Sequence, residues 1–197
     1  MVDDLIQRAR SRDEAALRQL YERHRQPVLR LAYGILRDEG EAEDVMQDVM
    51  VQALTHLEQY DPRRGAFSTW LHTITVNRCR DKLRRRRLHE RLFGWLRHGD
   101  VEEPTTPAPD VEHVDTDRRV AQALGALTDL QREALVLREV EELSLAELGE
   151  VLGVPLRTAQ ARVNSAAAAL RRAWEATEPR GGSAARAANE GKGEHAP

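Results

Sequence analysis

Apolar residues return at steps of three and four along almost the whole chain, a period that one face of a helix satisfies and a strand does not. Leu5, Ile6 and Ala9 begin the pattern. Ala16, Leu17, Leu20, Tyr21, Val28, Leu31, Ala32, Ile35 and Leu36 continue it in a long helix that should start at Ser11 and kink or break at Pro27, with Gly34 marking a close helix crossing. A third helix is expected from about Glu41 to Glu58, striped by Ala42, Val45, Met46, Val49, Met50, Ala53, Leu54 and Leu57. Aromatics make up only 4% of the residues, too few for a sandwich or barrel, so the expected class is all-α.

The pattern stops once, at residues 97–117, where three prolines and seven acidic groups meet little apolar content. Such a stretch cannot bury enough surface to fold alone and is expected to be a flexible acidic linker. It divides the chain into helical domains at 1–96 and 118–176, followed by a disordered tail at 177–197. In the first domain, turn chemistry from Tyr60 to Gly65 precedes a helix expected to begin at Trp70, capped by Ser68 or Thr69, and to end near Leu88. In the second, Val120, Ala123, Leu124 and Leu127 mark one helix, and Thr128 to Gln131 is a capping box for the next. Ser144 to Glu147 is a second capping box.

Charge is segregated behind a net value of only −3: residues 61–91 hold 10 basic and 3 acidic groups, while residues 1–60 hold 8 and 12. A cationic block that dense calls for an anionic partner. Phe67, Ser68, Thr69 and Trp70 stand at its start, and Asn77, Arg78, Arg80 and Lys82 follow on the helix. Aromatics beside a basic helix suit unpaired bases, which stack on them while Asn and Arg bond to base edges. The alternative places Phe67 and Trp70 in the core and leaves the arginines solvated.

Helices at 144–152 and 156–172, joined by a short turn at Gly153, have helix-turn-helix spacing. Arg157, Thr158, Gln160, Ala161, Arg162 and Asn164 lie where a recognition helix meets base edges and phosphates, and no acid occurs from Val151 through Trp174. An ordinary helical hairpin remains the alternative. Glu43, Asp44, Gln47 and Asp48 form a polar face on the third helix, which on residue grounds alone is solvent-facing.

Catalysis has little to stand on: there is no phosphate-cradling glycine loop and no nucleophile elbow. His72 and Cys79 lie about two helical turns apart, too far to share a metal. No enzyme activity, metal, cofactor or small-molecule substrate is expected. With one cysteine and no export-type or membrane-spanning apolar run, a reducing cytoplasm is the expected compartment, and any membrane link would run through a partner.

In their order these features resemble the extracytoplasmic function (ECF) sigma factors, over roughly Ala15 to Trp174. Asp44, Gln47 and Asp48 are similar to the family's D-x-x-Q-[DE] helix, which implies binding to the clamp helices of the β′ subunit of core RNA polymerase. Phe67 to Leu71 and Ile74 to Asn77 resemble the F-x-x-W-L…I-A-x-N segment, implying melting and reading of the promoter −10 element. The segments Leu127 to Glu133 and Ser144 to Arg171 resemble region 4, implying contact with the β flap and reading of the −35 element as duplex DNA. An anti-sigma factor is a further implied partner, and the acidic linker is similar to family linkers threaded through the polymerase channel.

Where the family often has Lys, Arg and Arg, this chain has Gln160, Ser165 and Ala167. The loss of charge should weaken phosphate binding, while Gln160 and Asn164 remain suited to adenine. Two other classes stay open on the residues. A dimeric helix-turn-helix regulator of palindromic operators would leave the segments 44–48 and 67–77 without a role. An interaction protein such as a sigma antagonist would bury Arg157 and Arg162 against its partner.

Overall fold

The computed structural model describes residues 2–93 and 119–177; the expected linker 97–117 and all but the first residue of the tail 177–197 lie outside them. Eight helices carry the described chain: α1 (Val2–Arg10), α2 (Glu14–Leu36), α3 (Glu39–Thr55), α4 (Phe67–Phe93), α5 (residues 119–125), α6 (Asp129–Leu135), α7 (Leu145–Leu152) and α8 (Leu156–Ala176). Two 3-10 turns, Leu57–Gln59 and Pro62–Arg64, link α3 to α4. A π-helical turn at Val136–Val140 extends α6. The described residues contain no strand, as the apolar period requires.

Several boundaries differ from expectation, each for a local reason. The cap of α2 is Asp13 rather than Ser11, its carboxylate accepting from the amides of Ala15 and Ala16 at 2.9 and 3.2 Å. Pro27 does not break α2. Buried Leu20, Val28, Leu31 and Ile35 anchor the helix on both sides of it, and this packing outweighs the lost backbone bond. Helix α3 begins at Glu39 because Asp38 accepts from the Glu41 amide at 2.8 Å, and it ends at Thr55 instead of Glu58. Helix α4 begins at Phe67, three residues early: the Ala66 carbonyl already takes the Trp70 amide at 3.1 Å, so neither Ser68 nor Thr69 is the cap. It runs on to Phe93, past the expected end at Leu88.

Both capping boxes form. Thr128 and Gln131 exchange side-chain-to-backbone bonds at the start of α6, as do Ser144 and Glu147 at the start of α7.

By packing, the described residues form two compact units, one of residues 2–93 with 128–167, the other of 119–127 with 168–177. In the first, helices α1 to α4 enclose Leu20, Leu31, Ile35, Met50, Leu71 and Val76, all essentially inaccessible. Ala134, Leu137, Leu148, Val151 and Ala159 continue the same buried cluster. At roughly 1.5 to 3 kcal/mol for each large aliphatic side chain removed from water, this cluster is the main stabilising term. Gly34 lets the chain approach closely here: a Cβ on it would lie 2.8 Å from Cγ1 of Val136. In the second unit Ala123 and Leu127 are buried, and the Arg119 guanidinium lies 4.4 Å from the Trp174 ring centroid.

Candidate functional site

On α3 the buried stripe Ala42, Val45, Met46, Val49, Met50 and Ala53 turns the remaining positions outward. Glu43, Asp44, Gln47 and Asp48 are exposed, and Val51, one turn further on, is 67% exposed. Val51 is a single apolar side chain left in water within this acidic face. The sequence signal for Val51 was its spacing, seven residues after Asp44 on the same side of the helix.

Helix α4 lies against α3 and is tied to it by two polar contacts. Lys82 Nζ donates to Asp44 Oδ2 at 2.9 Å, and the Arg78 guanidinium donates to Gln52 Oε1 at 3.1 and 2.8 Å. The Asp44 carboxylate raises the Lys82 pKa, first through this hydrogen bond. Arg80 points elsewhere, and its guanidinium makes a bidentate pair with Glu133 of α6 at 2.8 to 3.1 Å. The three basic residues expected at DNA are therefore all engaged by other side chains, on two faces of α4. Asn77 is exposed.

At the start of α4 the structure separates residues that the motif grouped together. Phe67 is buried at 3%, packed edge-on against Tyr60 at 5.2 Å and His24 at 5.1 Å between ring centroids. It cannot stack on a base and instead holds the neighbouring rings in place. Thr69 is also buried, while Ser68 is exposed and Trp70 is half-buried. Tyr60 donates its hydroxyl to the Gly65 carbonyl at 3.1 Å and packs its ring 5.7 Å from that of Trp70. Tyr60 and Trp70, with Arg64, Thr69 and Thr73, line an open cleft of about 520 Å³, which Glu150 of α7 also reaches. Half-buried Trp70 gives the cleft an aromatic face suited to an unpaired base, while Asp61 and Glu150 outnumber Arg64 among the charges of its lining.

Buried ionisable groups lie close by. Burial, aided by the charges of Arg23 and His72, lowers the His24 pKa to about 4, so its imidazole is neutral near pH 7. Burial likewise pushes the Cys79 thiol up to about 12, which leaves it unreactive. His72 sits 3.2 Å from Glu141 with both side chains only 7% exposed.

The helix-turn-helix forms at α7 and α8. Gly153 is the left-handed cap of α7, and Gly149 lies so close to the turn that a Cβ there would come within 2.9 Å of the Val154 carbonyl oxygen. On α8, Arg157, Thr158, Ala161 and Asn164 are exposed, whereas Gln160 and Arg162 are half-buried. Gln160 donates to Asn164 at 2.8 Å, so these two amides hold each other. Ser165, where family members often carry Arg, accepts from Gln131 at 3.0 Å.

Family models match at two places: Sigma-70 region 2 at residues 20–89 and Sigma-70 region 4 at residues 117–170. Together they span well over half of the chain. The ECF RNA polymerase sigma factor SigK of Mycobacterium sp. (strain KMS) is 32% identical over 163 residues, covering 82% of this chain and 84% of the relative.

The chain belongs to the ECF sigma factors.

Another relative of this sigma factor, SigW of Bacillus subtilis (strain 168), is 27% identical over 180 residues, covering 87% of this chain and 96% of its own. The solved structure of CnrH with the cytosolic domain of CnrY matches at TM-score 0.66 and 28% identity, covering 88% and 97% of the two chains. The Bartonella quintana sigma factor RpoE, solved with the anti-sigma factor NepR, shares the fold at TM-score 0.59 and 24% identity, covering 76% of this chain and 91% of its own. The sigma factor directs promoter-specific transcription initiation with core RNA polymerase, and the dimeric regulator is not favoured. Its region 2 match holds the α3 face and the aromatic cleft, and its region 4 match holds the helix-turn-helix. Among the described residues no helix is long and apolar enough to cross a membrane.

Proposed function

We propose that this sigma factor grips the β′ clamp helices of core RNA polymerase through Asp44, Gln47 and Asp48, with Val51 as the apolar centre of the contact. It opens and reads the −10 element with Trp70 at the open cleft, its ring packed against buried Tyr60 and Phe67, aided by Ser68, Asn77 and the basic positions of α4. The exposed side chains Arg157, Thr158, Ala161 and Asn164 of α8 read the −35 element in the major groove. Gln160 acts through Asn164, and Arg162 supports the helix from its half-buried position.

One observation carries this reading. The exposed acidic face of α3 and the cleft at the start of α4 belong to a single helix pair, cross-linked by the Lys82–Asp44 and Arg78–Gln52 contacts. Polymerase binding and strand opening are then two sides of one rigid element.

In functional terms the domains are 1–96 and 118–176, with the acidic linker 97–117 lying in the cationic channel of the polymerase and region 4 meeting the β flap. The compartment is the cytoplasm, where the polymerase works. The action is binding rather than catalysis. An anti-sigma factor is a further partner, a reading supported by the complexes in which CnrH and RpoE were solved.

Transcription in vitro with purified core enzyme tests the proposal. Promoter-dependent initiation is the expected result, and operator binding without initiation would remove it. Asp48 is exposed on a capped helix, so Asp48→Arg should abolish association with core enzyme and leave the circular dichroism spectrum unchanged. Normal association of that variant would remove the clamp assignment.

A further inference from the structure

The end of α2, the basic C-terminal half of α4 and the start of α6 enclose a recess of about 450 Å³, where Arg37, Arg86, Arg87 and Arg132 meet Glu90 and Asp129. Leu36 and Leu83 form its buried floor. Four guanidiniums thus face two carboxylates, and Glu41 adds an acid at the edge, 3.9 Å from Arg86. An excess of positive charge remains.

The acids do not use up the arginines. Asp129 pairs with Arg87 and also takes Arg132 at 3.5 Å. Glu90 stands 3.5 Å from Arg86 and Glu41 stands 3.9 Å from it, both longer than a good charged hydrogen bond, so Arg86 keeps donors for a better acceptor. Arg37 has no carboxylate partner among the described residues. It occupies the left-handed cap of α2 at φ 57°, a conformation that L side chains rarely adopt. The dipole at the end of α2 favours one cation there but does not account for three. Burial and then the charges of Arg37 and Arg86 lower the Arg132 pKa, so these cations repel one another where the fold holds them. An anion between them removes that repulsion.

We propose that this recess binds a small anion of linked phosphates, free pyrophosphate or the phosphates of a nucleotide, through Arg37, Arg86 and Arg132. Guanidiniums meet phosphate oxygens in two-pronged pairs, and three of them arriving from different helices suit the many oxygens of linked phosphates better than one carboxylate. Walled by α4 on one side and α6 on the other, the recess admits such an ion but not a DNA duplex. None of the three arginines is assigned above to the polymerase clamp or to promoter bases, so the site stands apart from both.

Isothermal titration of the full chain with pyrophosphate, at constant ionic strength and without divalent cations, tests the site. Saturable binding at a single site is expected, and Arg37→Gln should weaken it about tenfold or more, the usual worth of a charged hydrogen bond. Arg86→Gln, on the half-exposed side of α4, should act in the same direction if Arg37→Gln fails to fold. Arg18→Gln, exposed on α2 outside the recess, should bind pyrophosphate as wild type does. ATP is the second probe: affinity equal to that of pyrophosphate assigns the site to the phosphates alone, and tighter binding assigns it to a nucleotide. Failure of both probes to bind overturns the proposal. So does equal weakening by Arg18→Gln, which marks a general response to charge, or wild-type affinity in the Arg37→Gln and Arg86→Gln variants. Loss of duplex DNA binding by Arg37→Gln, with pyrophosphate binding unchanged, hands these arginines to nucleic acid and overturns it as well.

Discussion

Phe67 and Trp70 lie three residues apart in one motif, yet they do different work. Phe67 is enclosed by Tyr60, His24 and Trp70, whereas Trp70 keeps one side open to the cleft. Phe67→Ala should cost about 3 to 5 kcal/mol of stability, the usual loss for a large aromatic removed from a core, read from urea unfolding. Trp70→Ala should cost less stability but reduce promoter opening by roughly tenfold or more, since one base–aromatic stack contributes about 1 to 3 kcal/mol. Permanganate reactivity of −10 thymines in the holoenzyme measures the second effect. Equal stability losses, with opening intact for Trp70→Ala, would show that both rings are only structural. Their types were legible in the sequence and their orientations were not, because α4 begins at Phe67 and that start rotates Phe67 inward.

Helices were the most readable level of the molecule. Their apolar stripes and both capping boxes follow from local chemistry, which acts within three or four residues. Gly34 shows where locality ends: the sequence marked a close crossing, but its partner, Val136 of the π-helical turn, lies far along the chain. Gly34→Ala should destabilise the fold by about 1 to 3 kcal/mol, because a β-branched neighbour has no flexible end to move away. Val136→Ala in the same chain should recover most of that loss, giving a favourable coupling in a double-mutant cycle by chemical denaturation. Additive losses would mean that the contact between α2 and the turn is absent in solution.

At the scale of the whole molecule, the segregated charge of the sequence becomes a set of pairings that determine response to conditions. His24 is held neutral, its pKa lowered to about 4 from 6.5, chiefly by burial. Between these values the unfolded chain binds more protons than the folded one, so the contribution is present above pH 6.5 and is lost as pH falls toward 4. Thermal melting across this window should show a falling midpoint in wild type and a shallower fall in His24→Phe, which keeps an aromatic ring against Phe67. An identical slope in both proteins would assign the acid sensitivity to other groups. The placement of segment 133–150 against α4 also belongs to this scale. Glu133 and Glu141 carried no signal in the sequence, where each is one acid among many on a helix or turn.

Read alone, the chain dictates an all-α fold, the caps that start α6 and α7 and the turn glycine of the helix-turn-helix. All of these depend on residues within one or two turns of each other, where period and hydrogen-bond geometry leave few choices. The tertiary structure decided that Phe67 is inside, that Arg78 and Lys82 face α3, and that Arg80 is held by a buried carboxylate 53 positions away. Periodicity specifies which face of a helix leaves water, but only closure of the chain brings one buried face, and the ion meeting it there, against another.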